Sequence, residues 1–171
     1  MSEQPSEVDA NEGLELKVLH KKRYDFEAPT SSHFTLEVSA YWNNDLLDQV
    51  ESGRRRTVSV GGYTGGRKAD LIVEVPQEVK GFTIAKIRGT EATITVPESA
   101  QFALRKADAA PSRDATRVPV SAPFSAYGVK IGFGDRIAFR MGKLTFACEF
   151  VRSHGRVRHP WDWLIPRWMT A

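Results

Sequence analysis

The sequence predicts an all-β protein, an antiparallel β-sandwich of about ten or eleven short strands. The segment FTLEVSAYW, residues 34–42, alternates apolar and polar side chains, which is typical of a strand with one buried face. Short runs rich in β-branched and aromatic residues then recur every eight to twelve residues or so, with turn residues between them. No long helical period interrupts this pattern, so a sandwich of two sheets fits it best.

Each run is expected to form one strand. In the first strand Phe34, Leu36, Val38, Ala40 and Trp42 share the face that should meet the core. The further strands are predicted at 46–50, 57–60, 70–75, 82–87, 92–96, 101–105, 117–120, 127–131, 136–141 and 144–151. The last two strands form a hairpin, and residues 106–116 (KADAAPSRDAT) form a surface loop.

Composition divides the 171 residues into one domain with two tails. Residues 1–13 are acidic and lack periodicity, which predicts a disordered tail, and 14–151 form the sandwich. Residues 152–171 are basic and rich in tryptophan. A hydrophobic content of 41% is ordinary for a soluble domain. A single cysteine leaves no intrachain disulfide, which favours a reducing compartment such as the cytoplasm.

The stretch TVSVGGYTGGRKADLIVEVP, residues 57–76, resembles a phosphate-binding loop in the spacing of Gly61 and Gly66. Such a loop needs a lysine and then a hydroxyl residue after the second glycine, whereas this chain has Arg67 and Lys68. It must also open a helix, but β-branched residues and a proline follow. A nucleotide site is therefore not expected.

The chemical inventory predicts no catalytic residue, no metal site and no cofactor. Cys148 lies between two phenylalanines on an apolar strand face, so a buried structural thiol is expected. His154 and His159 stand among arginines without a cysteine or carboxylate cluster, as in a solvated basic segment. Asp135 in GFGDR is most simply a turn residue. We expect a protein that is not an enzyme, although an unfamiliar enzyme on this scaffold remains an alternative.

Two basic clusters each precede a strand in a glycine-containing loop, so both are expected at one end of the sandwich, where they are the candidate partner-binding surface. The predicted binding residues are Arg54, Arg55, Arg56, Gly62, Tyr63, Arg67 and Lys68. The turn at Gly89 and Thr90 is a further candidate. Clustered guanidinium groups suit an acidic or phosphorylated ligand, whereas the simpler interpretation is a pair of solvated loops. No nucleic-acid-binding pattern is present.

A small-ligand or carbohydrate-binding sandwich is the alternative function. Its aromatic stacking platforms would come from Tyr41, Trp42 or Tyr63. Trp42 is expected on the core face, so Tyr63 in the loop of residues 61–68, called the glycine loop below, is the better candidate. This alternative stays open at the level of the sequence.

Two pieces of the chain resemble the forkhead-associated (FHA) family. VSVGG followed by ADLIVEVP is similar to the strand, Gly-Arg and Asp-Ile strand of that fold, and YGVKIGFGDRIAFRMGKLTFACEF is similar to its closing meander. The resemblance covers roughly residues 34–151. Gly62 stands where the family has its phosphopeptide arginine, and the Ser-x-x-His and Asn-Gly-Thr signatures are missing. The resemblance thus implies a protein-interaction module that has lost phosphothreonine recognition.

The C-terminal segment RSHGRVRHPWDWLIPRWMTA points to a membrane surface. Tryptophan favours the membrane interface, and cytoplasmic flanks collect arginine. The predicted membrane-proximal residues are Arg156, Arg158, Trp161, Trp163, Arg167 and Trp168. Packing of this segment back onto the sandwich is the alternative.

The order of the segments carries a second resemblance. An FHA-like domain followed by HPWDWLIPRW resembles the cytoplasmic N-terminal domains of myxobacterial gliding-motility and TonB-type envelope proteins. This implies a place at the inner-membrane face, with another protein of a membrane-associated complex as partner and the anionic membrane surface as a second contact.

Overall fold

The computed structural model describes residues 34–64, 67–76, 81–107 and 109–153. Within these ranges the regular elements are all strands. They are β1 (Phe34–Trp42), β2 (Asp45–Glu51), β3 (Thr57–Gly61), β4 (Tyr63–Thr64), β5 (Arg67–Lys68), β6 (Leu71–Ile72), β7 (Phe82–Arg88), β8 (Glu91–Pro97), β9 (Gln101–Arg105), β10 (Arg117–Pro119), β11 (Ala126–Ile131), β12 (Arg136–Met141) and β13 (Leu144–Arg152).

Eleven of the described strands form two open sheets that make a β-sandwich, so the predicted fold class is confirmed. The five-stranded sheet has the order β2-β1-β13-β12-β9, and the six-stranded sheet has the order β10-β11-β8-β7-β3-β6. Every pairing is antiparallel except that of β3 with β6, where Val60 lies opposite Leu71. Strands β4 and β5 form a separate small hairpin within the glycine loop.

The core lies between the two sheets. Leu144, Phe146, Cys148 and Phe150 share the inner face of β13, as the alternation of that strand predicts, and all four are buried. The rings of Phe102 in β9 and Tyr127 in β11 meet edge to face at 5.9 Å and join the two sheets. Each fully buried side chain of this size contributes roughly 1.5–3 kcal/mol of hydrophobic stabilisation.

The opposite face of the five-stranded sheet is buried as well, so the prediction of one solvated face on β1 is wrong. Thr35, Glu37 and Ser39 alternate with the core residues of β1, and all three are buried. In register with Ser39 runs a row of small residues across the next three strands: Ala147, Ala138 and Ala103. Alternation reveals which side chains point away from the core, but it cannot reveal whether something covers them.

Trp42 also differs from its prediction, because 46% of its surface is exposed. It is the last residue of β1 and is followed by the two-residue turn Asn43–Asn44, in which Asn43 has φ of 54°. The end of β1 therefore extends beyond the core, and Trp42 is exposed although it follows the alternation of the strand.

The strand predicted at 70–75 is much shorter in the structure. Its ladder with β3 ends where Gly61, the last residue of β3, pairs with Ile72. Val73 is buried without strand pairing, and Pro76 has no N–H to donate. The β-branched run thus reflects burial more than sheet pairing.

Candidate interaction surfaces

The loop that carries Arg54, Arg55 and Arg56 is anchored at its start by buried hydroxyl groups. Residues 52–56 are called the arginine loop below. Ser52 Oγ accepts a hydrogen bond from Leu36 N at 3.1 Å, and Thr35 Oγ1 accepts one from Gly53 N at 2.7 Å. At the other end Ile87 N donates to Arg56 O at 2.7 Å. These bonds fix the backbone of the arginine loop, so the three exposed arginine side chains extend from a fixed backbone.

Arg55 differs from its two neighbours because it has a partner. Its Nη1 lies 2.6 Å from Asp70 Oδ1. The other oxygen of Asp70 accepts hydrogen bonds from Ser59 N at 2.9 Å and Ser59 Oγ at 2.8 Å. Asp70 therefore links the arginine loop to the strand that follows the glycine loop, and it leaves Arg54 and Arg56 as the available cations of the cluster.

The second basic cluster lies at the other end of β3. Gly62 directly follows β3 and is exposed, whereas Arg54 and Arg56 precede it. The backbone of Tyr63 pairs with Lys68, whose side chain is exposed. The side chains of Tyr63 and Arg67 lie outside the described part of the chain. The five residues of β3 thus separate the two clusters, which sequence reasoning expected to crowd one end of the sandwich.

The glycine loop is followed by a strand, as predicted, which distinguishes it from a phosphate-binding loop. Leu71 and Ile72 form β6 where such a loop would begin a helix. Ile72 N donates to Asp48 Oδ2 at 3.0 Å, which ties β6 to β2 of the other sheet. This hydrogen bond therefore joins the edge strands of the two sheets.

Three large apolar side chains on the hairpin of β1 and β2 are exposed, which the sequence did not predict, and this set is called the apolar patch below. It consists of Trp42, Leu46 and Leu47, which are 46%, 52% and 51% exposed. Strand β2 is the edge of the five-stranded sheet, and its register with β1 shifts between Ala40 and Tyr41, beside Leu47. Tyr41 itself packs against the row of small residues on the outer face, so it is not an open stacking platform.

Two residues weighed for chemistry have the structural roles that the sequence predicted. Burial raises the pKa of the Cys148 thiol to about 12. Asp135 Oδ2 accepts hydrogen bonds from Gly132 N at 3.0 Å and from Lys106 Nζ at 2.9 Å, so it holds a turn before β12. Within the described ranges, no group of three or more His, Cys, Asp and Glu side chains is placed to hold a metal ion. The same ranges contain no helix with the length and apolarity that a membrane crossing requires.

The membrane-proximal set of Arg156, Arg158, Trp161, Trp163, Arg167 and Trp168 lies outside the described residues, as do His154, His159 and the 1–13 tail.

Comparisons with protein-family models, with curated proteins and with solved structures gave no match.

Sequence reasoning also missed three basic residues on one sheet face. Lys86, Arg88 and Lys130 line a groove on the outer side of the six-stranded sheet. The spacing of Lys86 and Arg88, two residues apart in β7, was a usable signal that both side chains face outward. That Lys130 joins them depends on the strand order, which the sequence does not reveal.

Proposed function

We propose that this protein is a non-enzymatic protein-interaction module. In this proposal it is the cytoplasmic domain of a membrane-anchored motility or trans-envelope complex, and it has lost phosphopeptide recognition. The observation that carries the interaction function is the apolar patch of Trp42, Leu46 and Leu47. Several large apolar side chains exposed on one edge hairpin favour a protein contact, because burying them against a partner releases the water around them.

The arginine loop supports the same function at the opposite end of the five-stranded sheet. Arg54 and Arg56 are exposed on an anchored backbone. The loop backbone therefore loses little conformational entropy when a partner binds. Gly62 stands at the position where the family that the sequence resembles carries its phosphate-binding arginine. The proposal therefore includes no preference for phosphothreonine over threonine.

Partner capture from a cell lysate tests the interaction function. We compare the wild-type protein, Trp42→Ser/Leu47→Ser and the control Gln49→Ser, which changes an exposed polar residue of the same strand. A partner identified by mass spectrometry should be recovered about tenfold less with the double variant and equally with the control. Equal recovery of the same proteins by all three forms would reject the patch as the binding surface.

The membrane placement rests on the 152–171 segment, with its arginines and three of the four tryptophans of the chain. Each arginine near an anionic leaflet adds roughly 1 kcal/mol of attraction, which salt screens. The full chain should sediment with anionic vesicles at low salt and much less at high salt. A chain ending at Ser153 should lose this binding. If truncation and salt change nothing, the membrane placement fails.

The alternative role of that segment, docking on the sandwich, is favoured by a different observation, the burial of the outer face of the five-stranded sheet. In that case truncation at Ser153 should lower the melting temperature by several degrees. A small-ligand function on the sandwich remains the second class of function. It predicts that a sugar or metabolite screen raises the melting temperature of the full chain, since a ligand of the folded state stabilises it.

A further inference from the structure

A groove of about 710 Å³ crosses the outer face of the six-stranded sheet. Its floor comes from the neighbouring strands β7, β8 and β11, and the edge strand β10 forms one wall. It is separate from the apolar patch, which belongs to the other sheet. Of the predicted partner-binding residues with described side chains, namely Arg54, Arg55, Arg56, Gly62 and Lys68, none lines it.

Three cations and one acid line the groove. Lys86 and Lys130 lie on either side of Thr93 in the same cross-strand row, so their Cα atoms are two strand spacings, roughly 10 Å, apart. Arg88 follows two residues after Lys86, and its register partner is Glu91. Among the described residues no hydrogen bond or ion pair involves the side chains of Lys86, Arg88 and Lys130, and all three are exposed. The groove thus presents two positive charges in excess.

The apolar wall depends on a glycine. A Cβ atom at Gly128 would lie 2.7 Å from Thr93 Cγ2, 2.7 Å from Val120 Cγ1 and 2.8 Å from Val118 Cγ2. Because Gly128 has no side chain, the two valines and the threonine on β8 can all approach the backbone of β11. The result is a polar, basic floor beside a packed apolar wall.

The groove continues toward the arginine loop. Lys86 pairs with Thr57, the first residue of β3, and Ile87 N donates to Arg56 O. Arg54 and Arg56 therefore stand at the same end of the sheet as the turn between Arg88 and Glu91. The positive surface extends over β11, β8, β7 and the start of β3.

We propose that this groove binds an extended acidic peptide segment of a partner protein. The open shape suits a chain that crosses several strands, and carboxylates two residues apart in such a chain are separated by about 7 Å, within reach of the two flexible lysines. Val118 and Val120 provide contact for apolar side chains between the carboxylates. The inference rests on the proposed function in that the ligand is part of a protein, but it uses a different surface from the patch of Trp42, Leu46 and Leu47.

The test measures fluorescence anisotropy of a labelled peptide of alternating Glu and Val, long enough to cross the four strands. A peptide with Gln in place of Glu is its uncharged match. The acidic peptide should bind the wild-type chain at low salt, and the Gln peptide should bind at least about tenfold more weakly. Lys130→Glu should weaken binding of the acidic peptide about tenfold, and Lys86→Glu/Lys130→Glu should weaken it further.

Lys143→Glu provides the charge-matched control, because Lys143 is an exposed lysine of the hairpin turn between β12 and β13. It should leave peptide affinity within about twofold of wild type. Equal melting temperatures for the Lys130 and Lys143 variants establish that both are folded.

Three results would overturn the groove proposal: equal binding of the two peptides, equal effects of Lys130→Glu and Lys143→Glu, or Lys130-dependent binding of anionic vesicles without binding of the peptide. If the peptide fails while partner capture still depends on Trp42 and Leu47, the groove proposal fails and the interaction function stands. If both measurements fail, the interaction function fails with it.

Discussion

Arg136 and Glu149 lie opposite each other on the neighbouring strands β12 and β13, and their side chains form an ion pair on the buried outer face of the five-stranded sheet. Only 2% of Arg136 and 8% of Glu149 is exposed. Arg136 Nε has no hydrogen-bond partner among the described residues. The buried positive charge of Arg136 is therefore compensated mainly by the Glu149 carboxylate.

Removing one partner of this pair should destabilise the fold strongly. Arg136→Met or Glu149→Leu leaves an uncompensated buried charge, which costs about 3–5 kcal/mol, whereas the double variant should recover part of this loss. Urea denaturation of the three variants measures the free energy of unfolding and the coupling between the two sites.

Lys106→Met provides the surface comparison for this prediction. It removes the exposed ion pair of Lys106 with Asp135 and should cost less than about 1 kcal/mol. Similar losses for Lys106→Met and Arg136→Met would show that the outer face is open to water in solution.

The sequence predicted the order and type of the long strands because their side chains alternate. Ile137 and Phe139 in β12, for example, face Phe146 and Cys148 across a hairpin whose turn at Gly142 is read directly from the sequence. Such local signals report which residues face inward. They also located Cys148 in the core and Asp135 at a turn.

The pairing of distant segments could not be read in this way. Glu37, Glu149 and Arg136 form one row across three neighbouring strands, although Glu37 is more than ninety residues from the other two in the sequence. This row can be recognised only once the strand order is known. The same holds for Lys86 and Lys130, which lie in one groove because both are register partners of Thr93. Surfaces built from several strands are properties of the topology, so the candidate sites were predicted less completely than the fold.

Gly61 should tolerate no side chain, although the neighbouring Gly62 should. Gly61 has φ of 150°, and a Cβ atom there would lie 2.9 Å from Gly81 Cα, a backbone atom that cannot turn aside. Gly61→Ala should therefore cost about 1–3 kcal/mol through strain and displacement of β7. No atom lies within 4 Å of a Cβ at Gly62, so Gly62→Ala should change stability by less than about 0.5 kcal/mol.

Thermal unfolding of the two alanine variants measures this difference. The pair also separates stability from binding, since Gly62 belongs to the predicted partner surface. Equal melting temperatures for the two variants would contradict the close approach of Gly61 and Gly81.

The buried thiol of Cys148 should make the protein less stable at high pH. Its pKa is raised to about 12 in the folded chain, chiefly because burial disfavours the thiolate, compared with 9.0 for the free side chain. Below pH 9 the thiol is protonated in both states, and this group contributes no pH dependence. Between pH 9 and about 12 only the unfolded chain releases the proton, so the free energy of unfolding should fall by up to about 1.4 kcal/mol per pH unit.

Denaturation at pH 8 and pH 10.5 measures this slope in the wild-type chain and in Cys148→Ala. The alanine variant is less stable at both pH values because it loses a packed sulfur, but its decline between them should be smaller by about 2 kcal/mol. The native thiol should also resist alkylation at pH 8 and react once the chain is unfolded, because the thiolate is the nucleophile. Rapid alkylation of the folded protein, or the same decline in both chains, would place Cys148 in contact with water.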